Sequence, residues 1–423
     1  MALGDLNLMT DAIPSTQAET FPSDAFFDSL ASSIQPVGEA NMLPPLCYTD
    51  AAFYEFEKTA LFDREWLCVG RESWVAKPGD YFTTSIVGEP LLIARNAEGQ
   101  IRAMSAVCQH RAMLVAEGHG QRSSFVCPYH HWAYSLDGVL LGAPAMDRSI
   151  GFDKNDFCLP RFAVEVWQGF IFVNFDLTAP PLGPRLRAVD EVLANYHVAQ
   201  ADGPRPGEPM SLAWNWKVMF ENNNDGYHAN KLHRGPLHDF VPSRLATFPE
   251  LPTDTAGYFR HNGTTHADAA FNATQKAVFK RFPDLTDEQR SRMSFVNVPP
   301  TLSLVVTCEM VIYMILRPDS AQTHQMDQGL LFAPEAMDDP LFQGKLDLSM
   351  SSVSHIVAQD LHVDEMVQIG LRSRYAKRGR YSWQEEAQRQ LNSWLVPRYQ
   401  VARDMLRSGS ARAVIPMAVV GCT

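Results

Sequence analysis

Two short stretches hold most of the side chains able to do chemistry. In the first, Cys108 and His110 are followed by Cys127 and His130, giving the pattern C-x-H-x16-C-x2-H. Two thiolates and two imidazoles can bind zinc, but zinc sites of that composition usually pair Cys with Cys and His with His. Mixed pairs suit a two-iron, two-sulfide cluster, because each loop then offers a thiolate to one iron and an imidazole to the other. An unliganded coincidence is the remaining reading. His119 and His131 are bystanders to the pattern. The second stretch, Trp214 to His233, brings Asp225, His228 and His233 within nine positions. On a helix Asp225 and His228 share a face and His233 follows about one turn later, which offers nitrogen ligands to one metal. The plain alternative is a helix end with solvated histidines.

The elements that must position these residues are partly legible. From Asp50 to Trp66 the apolar Phe53, Phe56, Leu61 and Phe62 recur near helical spacing, which predicts an amphipathic helix. Tyr81 to Val87, Pro90 to Arg95 and Ile101 to Val107 predict antiparallel strands separated by turns such as Asn96-Ala97-Glu98-Gly99. Pro128 and the turn Leu136-Asp137-Gly138 fit loop tips that clamp a cofactor. Leu182 to Val198 has a helical pattern and runs into the Pro- and Gly-rich linker Ala201 to Pro209. Asn222-Asn223-Asn224 is either a polar pocket wall or an exposed helix end. Phe240 to Val298 is polar and broken; Arg260 to His266 reads as an exposed loop rather than a substrate contact, and Ala267 to Arg292 has room for a lid. The alternation from Leu302 to Leu316 predicts a strand that returns over Met326 to Phe332, and it fits core packing and pocket lining equally. Ser382 is placed to cap a helix reaching about Leu406.

Bulk composition narrows the classes. A chain of 423 residues, 46% hydrophobic and 20% charged, has the make-up of a globular protein of two or three domains. A formal charge of -12 argues against a general binder of nucleic acid or anionic membranes, which needs clustered Lys and Arg. No apolar run is long enough to span a bilayer, and the basic-then-apolar order of a signal peptide is missing, so a cytoplasmic location is expected. Seven scattered cysteines do not suggest a disulfide framework. Residues 1–44 read as a loosely held arm, packed on a neighbouring subunit and without chemistry of its own.

Cys108-Gln109-His110-Arg111 together with Cys127-Pro128-Tyr129-His130 resembles the cluster signature of the Rieske non-haem iron ring-hydroxylating oxygenases, large (alpha) subunit. Gly169 to Phe175 is similar to the strand closing the cluster domain in that family. The resemblance implies an α+β fold: an N-terminal antiparallel β Rieske [2Fe-2S] domain with its flanking helix over 45–180, then a helix-grip catalytic domain, an antiparallel sheet with long helices, over 181–423. It implies that His228 and His233 are ligands of a mononuclear Fe(II). Alignment on Glu365, Gln368 and Gly370 puts the carboxylate ligand at Asp360, with Asp364 its nearest rival. Asp225 resembles the acid that joins the iron site to the cluster of an adjacent subunit, which implies a homotrimer or a trimer with small subunits. The implied activity is that of a terminal oxygenase, using O2 and electrons relayed from NAD(P)H through a reductase or ferredoxin to hydroxylate a small organic substrate. An aspartate at 225 resembles the ring hydroxylases, whereas members acting on quaternary ammonium compounds tend to carry Glu there, so an aromatic substrate is expected. The alternatives are N- or O-demethylation, including of quaternary ammonium compounds, a Rieske electron carrier without oxygenase chemistry, and a zinc-stabilised binding module.

Overall fold

Alternating apolar side chains build two seven-stranded antiparallel sheets in the computed structural model, which describes residues 23–233, 237–252 and 254–408. The described chain opens with α1 (Asp24–Ser29), α2 (Leu46–Thr49) and α3 (Ala51–Glu57). Ten strands follow: β1 (Leu67–Arg71), β2 (Asp80–Ile86), β3 (Glu89–Arg95), β4 (Ile101–Ser105), β5 (His119–Gln121), β6 (Phe125–Val126), β7 (Ala133–Tyr134), β8 (Leu140–Gly142), β9 (Arg161–Trp167) and β10 (Phe170–Asn174). The first large sheet has the order β1-β10-β9-β4-β3-β2-β5, while β6-β7-β8 form a small separate sheet. The loop between β6 and β7 is the one that carries Cys127 and His130.

The second half contains α4 (Arg187–Leu193), β11 (Met210–Leu212), α5 (Trp216–Asn224), α6 (Gly226–Leu232), β12 (Ala246–Thr247), β13 (Tyr258–Gly263), α7 (Asp287–Arg290), β14 (Arg292–Val298), β15 (Leu302–Val306), β16 (Met310–Ser320) and β17 (Thr323–Phe332). Two long helices close it, α8 (Phe342–Leu371) and α9 (Glu386–Arg407), and the sheet order is β11-β17-β16-β15-β14-β13-β12. The period of two along a strand sends alternate side chains to opposite faces. On β16, Val311, Tyr313 and Ile315 join a core shared with Phe170 and Phe172 of the first sheet and Val189 of α4. Met310, Ile312, Met314 and Leu316 join the other core, beneath the long helices. Both faces are therefore covered, each large apolar side chain contributing about 1.5–3 kcal/mol.

Several elements differ from the sequence-based expectation. Residues 23–44 pack on their own chain: Phe27, Leu30 and Leu43 are buried in its core, and the Arg378 guanidinium donates to the Ser29 and Met42 carbonyls and to Ser33 Oγ. Residues 1–22 lie outside the described part. The helix expected from Asp50 is α3 followed by a wider π-helical turn over Lys58–Phe62. The single strand expected from Leu302 to Leu316 is two, folded back at Thr307-Cys308-Glu309. The segment expected to be irregular after Phe240 holds β13 and β14, both inside the sheet. Among the described residues no helix is long and apolar enough to cross a membrane.

Candidate cluster loops and metal centre

The two Cys/His loops share one backbone design. The Cys108 amide donates to the Met113 carbonyl at 2.9 Å and the Ala112 amide to the Cys108 carbonyl at 3.1 Å. In the second loop the Cys127 amide donates to the Trp132 carbonyl at 2.8 Å and the His131 amide to the Cys127 carbonyl at 3.0 Å. Ala112 and His131, each four residues after the cysteine, both take left-handed backbone conformations with φ 57°, which tightens the turn. The thiols are buried, and the His110 and His130 rings lie 4.5 Å apart between centroids. His110 stacks on Trp132 at 4.8 Å, and the Tyr134 hydroxyl lies 3.3 Å from Cys108 Sγ. Both Nδ1 atoms, of His110 and of His130, are buried without a hydrogen-bond partner. A buried imidazole nitrogen is rarely left unpaired, so the four side chains fit a group that takes up these lone pairs together with the thiolates. His119 and His131 are exposed.

The second site arises where a helix is interrupted. Asn215 caps α5 by accepting the Lys217 amide, and the helix ends at Asp225, whose extended backbone (φ -84°, ψ 103°) turns the chain. Asp225 then caps α6 by accepting the Tyr227 and His228 amides on Oδ1. The stretch expected as one helix is thus two short ones, with His228 inside α6 and His233 at its C-terminal cap. Asp225 Oδ2 is left to face His228 Nδ1 at 3.2 Å, which turns Nε2 away into the pocket. His233 is oriented likewise, its Nδ1 3.0 Å from Gln359 Oε1.

His228 Nε2, His233 Nε2 and Asp360 Oδ1 converge. The separations are 3.1 Å between the two nitrogens, 2.9 Å from His233 to Asp360 and 3.5 Å from His228 to Asp360. Asp360 Oδ1 is buried and accepts no hydrogen bond despite these contacts, so the three atoms are aimed at a common point rather than at each other. Ligands about 2.1 Å from a metal and at right angles stand about 3.0 Å apart. The set therefore fits three adjacent coordination positions of one ion, the two-His, one-carboxylate arrangement that suits Fe(II) and leaves positions open. Burial alone would pull the His233 imidazole down, but the Asp360 and Gln359 contacts outweigh it and hold it above the usual histidine range. Asp364 faces elsewhere: Asn222 Nδ2 donates to its Oδ1 at 2.8 Å. Burial pushes its carboxyl up to about 8, against the Asn222 contact and with the Asp360 and Glu221 charges adding.

The triad opens into a cavity of about 130 Å³ walled mainly by Met219, Phe271, Phe295, Ile312, Met314 and Ile356. A cavity of about 150 Å³ holds one benzene-sized molecule, so this one has room for a small molecule. The asparagine run is no exposed helix end. Asn222 and Asn223 line the cavity, and Asn224 is buried in reciprocal amide bonds with Asn297. Arg260, expected on an exposed loop, is buried on β13 and lines the cavity as well. Neither its place nor that of Gln359 follows from the sequence pattern.

A family model for the ring hydroxylating alpha subunit (catalytic domain) matches residues 192–401, and one for the Rieske [2Fe-2S] domain matches residues 65–165. The chain is 30% identical over 351 residues to the carnitine monooxygenase oxygenase subunit of Acinetobacter pittii, covering 80% of this chain and 87% of that one. It is 32% identical over 245 residues to the glycine betaine monooxygenase oxygenase subunit of Chromohalobacter salexigens, covering 54% and 55%. Its fold matches that of a quaternary ammonium Rieske monooxygenase with a TM-score of 0.73 at 25% identity, over 85% of this chain and 96% of the other. The naphthalene 1,2-dioxygenase of Rhodococcus has the same fold, with a TM-score of 0.73 at 20% identity over 89% and 98%.

Proposed function

Because the chain belongs to the Rieske ring-hydroxylating oxygenases, alpha subunit, we propose that it oxidises a small methylammonium compound, with His228, His233 and Asp360 holding the iron. The enzyme is a Rieske non-haem iron oxygenase whose cofactors are a [2Fe-2S] cluster and mononuclear iron. The observation that carries the reading is the convergence of those three ligand atoms at one end of a small, mostly apolar cavity. Cys108, His110, Cys127 and His130 would hold the cluster, which when bound would supply one-electron transfer from a reductase or ferredoxin. The iron, when bound, supplies O2 binding and activation.

The chain's own residues supply the rest. Asp225 orients the His228 ring and couples the iron site to a neighbouring subunit's cluster, in a homotrimer or a trimer with small subunits. The cavity walls exclude water and hold the substrate. In the reaction a C–H bond beside nitrogen becomes C–OH, and the weakened C–N bond then breaks to an amine and a carbonyl compound. Two electrons and two protons reduce the second oxygen atom to water.

The substrate class departs from the aromatic expectation. That expectation rested on one residue, Asp225, whereas similarity to a carnitine monooxygenase oxygenase subunit extends over 80% of this chain and to a glycine betaine monooxygenase oxygenase subunit over 54%. Phe271, which lines the cavity, is an aromatic ring of the kind that attracts a cation's methyl groups. The test is a screen of purified enzyme with a generic reductase, following O2 uptake and product for carnitine, glycine betaine, choline and naphthalene. Amine or aldehyde release coupled to O2 uptake is expected, with three irons per chain. A diol from naphthalene would restore the aromatic reading, and two irons per chain without turnover would favour an electron carrier.

A further inference from the structure

Arg260 is a buried cation that makes no ion pair among the described residues. Only 4% of it is exposed, and it lines the cavity that the His228, His233 and Asp360 triad closes. Its two hydrogen bonds are long and go to neutral oxygens, from Nη1 to Asn262 Oδ1 and from Nη2 to the Asn223 carbonyl, both at 3.4 Å. Its Nε has no partner at all. The guanidinium stacks at 3.6 Å on Phe295, its cross-strand partner on β14, which fixes its plane. Among the described residues no carboxylate makes an ion pair with it, although the Asp225 charge acts on it from a distance. Arg398, by contrast, meets Glu65 at 2.7 Å.

A guanidinium stays charged even when buried, and burying a charge is costly unless an anion meets it. Arg71 is likewise buried without an ion pair among the described residues, but it donates to the Gln168 and Ala201 carbonyls at 3.2 and 3.0 Å; what sets Arg260 apart is longer contacts and a place in the wall of the triad's cavity. Arg260 lines a cavity whose other polar walls include Asn223 and Gln328. A planar fork of donors matches a carboxylate. We propose that Arg260 receives a carboxylate of the substrate, which makes the molecule oxidised a small zwitterion with its anionic end on β13 and its N-methyl end toward the triad. The orientation of the substrate rests on the methylammonium reading above; the carboxylate site does not.

Matched probes separate the two. Holoenzyme is given glycine betaine against choline, γ-butyrobetaine against its primary amide, and benzoate against benzamide, with Kd from calorimetry and KM and kcat from coupled O2 uptake. The carboxylate member of each pair that binds should bind roughly 10- to 100-fold tighter. Arg260→Gln should erase that preference, raising Kd and KM for the carboxylates about 10- to 100-fold and those of the neutral members far less. Cluster absorbance and iron content report whether the variant is folded. If it is not, Arg260→Lys serves: a point charge in place of a fork should weaken carboxylates about 3- to 10-fold and keep the preference. No preference in the wild type, a preference that survives Arg260→Gln, or a KM unchanged in Arg260→Lys would overturn the proposal. Arg260-dependent binding of benzoate without oxidation of any methylammonium probe would keep the site and remove the methylammonium reading. Oxidation of choline as readily as glycine betaine would do the reverse.

Discussion

Asp225 serves His228 twice. With Oδ1 it caps the helix on which His228 rides, and with Oδ2 it stands 3.2 Å from the imidazole Nδ1. The same carboxylate therefore sets where the ring is and which nitrogen it shows to the cavity. Such partners commonly tune a metal site as strongly as the ligands do.

Asp225→Asn separates these roles. Asparagine caps a helix as well as aspartate, so stability, iron content and the cluster spectrum should hold. The charge opposite Nδ1 is lost, and product formation per O2 consumed should fall about 10- to 100-fold. Asp225→Ala removes the cap too and should cost about a further 1 kcal/mol in stability. Coupled turnover at the wild-type rate in the asparagine variant would remove Asp225 from the electron path.

Gln359 does for His233 what Asp225 does for His228, from the residue next to the candidate ligand Asp360 on α8. Gln359→Leu frees the ring and should weaken iron binding about 10- to 100-fold in a chelator competition. The [2Fe-2S] absorbance should not change, since its loops lie in the other sheet system. Wild-type iron retention would show that packing alone orients His233.

What the sequence disclosed and what it hid have a common physical origin. The candidate ligand residues are legible because few side chains bind iron, and their spacing is distinctive in Cys108, His110, Cys127, His130, His228 and His233. The helix break at Asp225 is hidden, because an aspartate inside a helical pattern and one capping a new helix look alike. β13 and β14 are hidden because Arg260, Asn262, Ser294 and Asn297 interrupt their apolar alternation. The structure buries these polar side chains and gives them polar partners, Asn262 with Arg260, Asn297 with Asn224 and Ser294 with His261. Periodicity records which residues are apolar, whereas these strands bury polar side chains among their apolar ones.

Lys217 anchors the site to the N-terminal helices. It is fully buried on α5, 2.8 Å from Glu57 Oε1 of α3, and Tyr399 of α9 donates to the same oxygen at 2.5 Å. Removing one partner strands a buried charge, so Lys217→Met should cost about 3–5 kcal/mol. Replacing both, as Lys217→Met with Glu57→Leu, should recover most of that loss, because the pair's attraction is largely offset by its own desolvation. Thermal midpoints of the four proteins give the coupling. Additive losses would mean that the two residues do not act as a pair.

Glu309 predicts a pH dependence of stability away from either metal site. It is buried in the turn between β15 and β16, its Oε2 accepting the Val278 and Phe279 amides, its Oε1 without a partner. Burial pushes its carboxyl from 4.5 up to about 7, the two amides opposing. Between those values the folded protein keeps a proton that the unfolded chain has lost. Folding therefore binds a proton across this window, and stability falls as pH rises from about 4.5 through 7, by up to about 3 kcal/mol from this group. Glu309→Gln keeps an oxygen for the two amides and has no charge to bury. Relative to wild type its midpoint should rise progressively between pH 5 and pH 8, where the ionised carboxylate burdens only the parent protein. A difference in thermal midpoint that stays constant over that range would show that Glu309 ionises in the folded protein as it does in water.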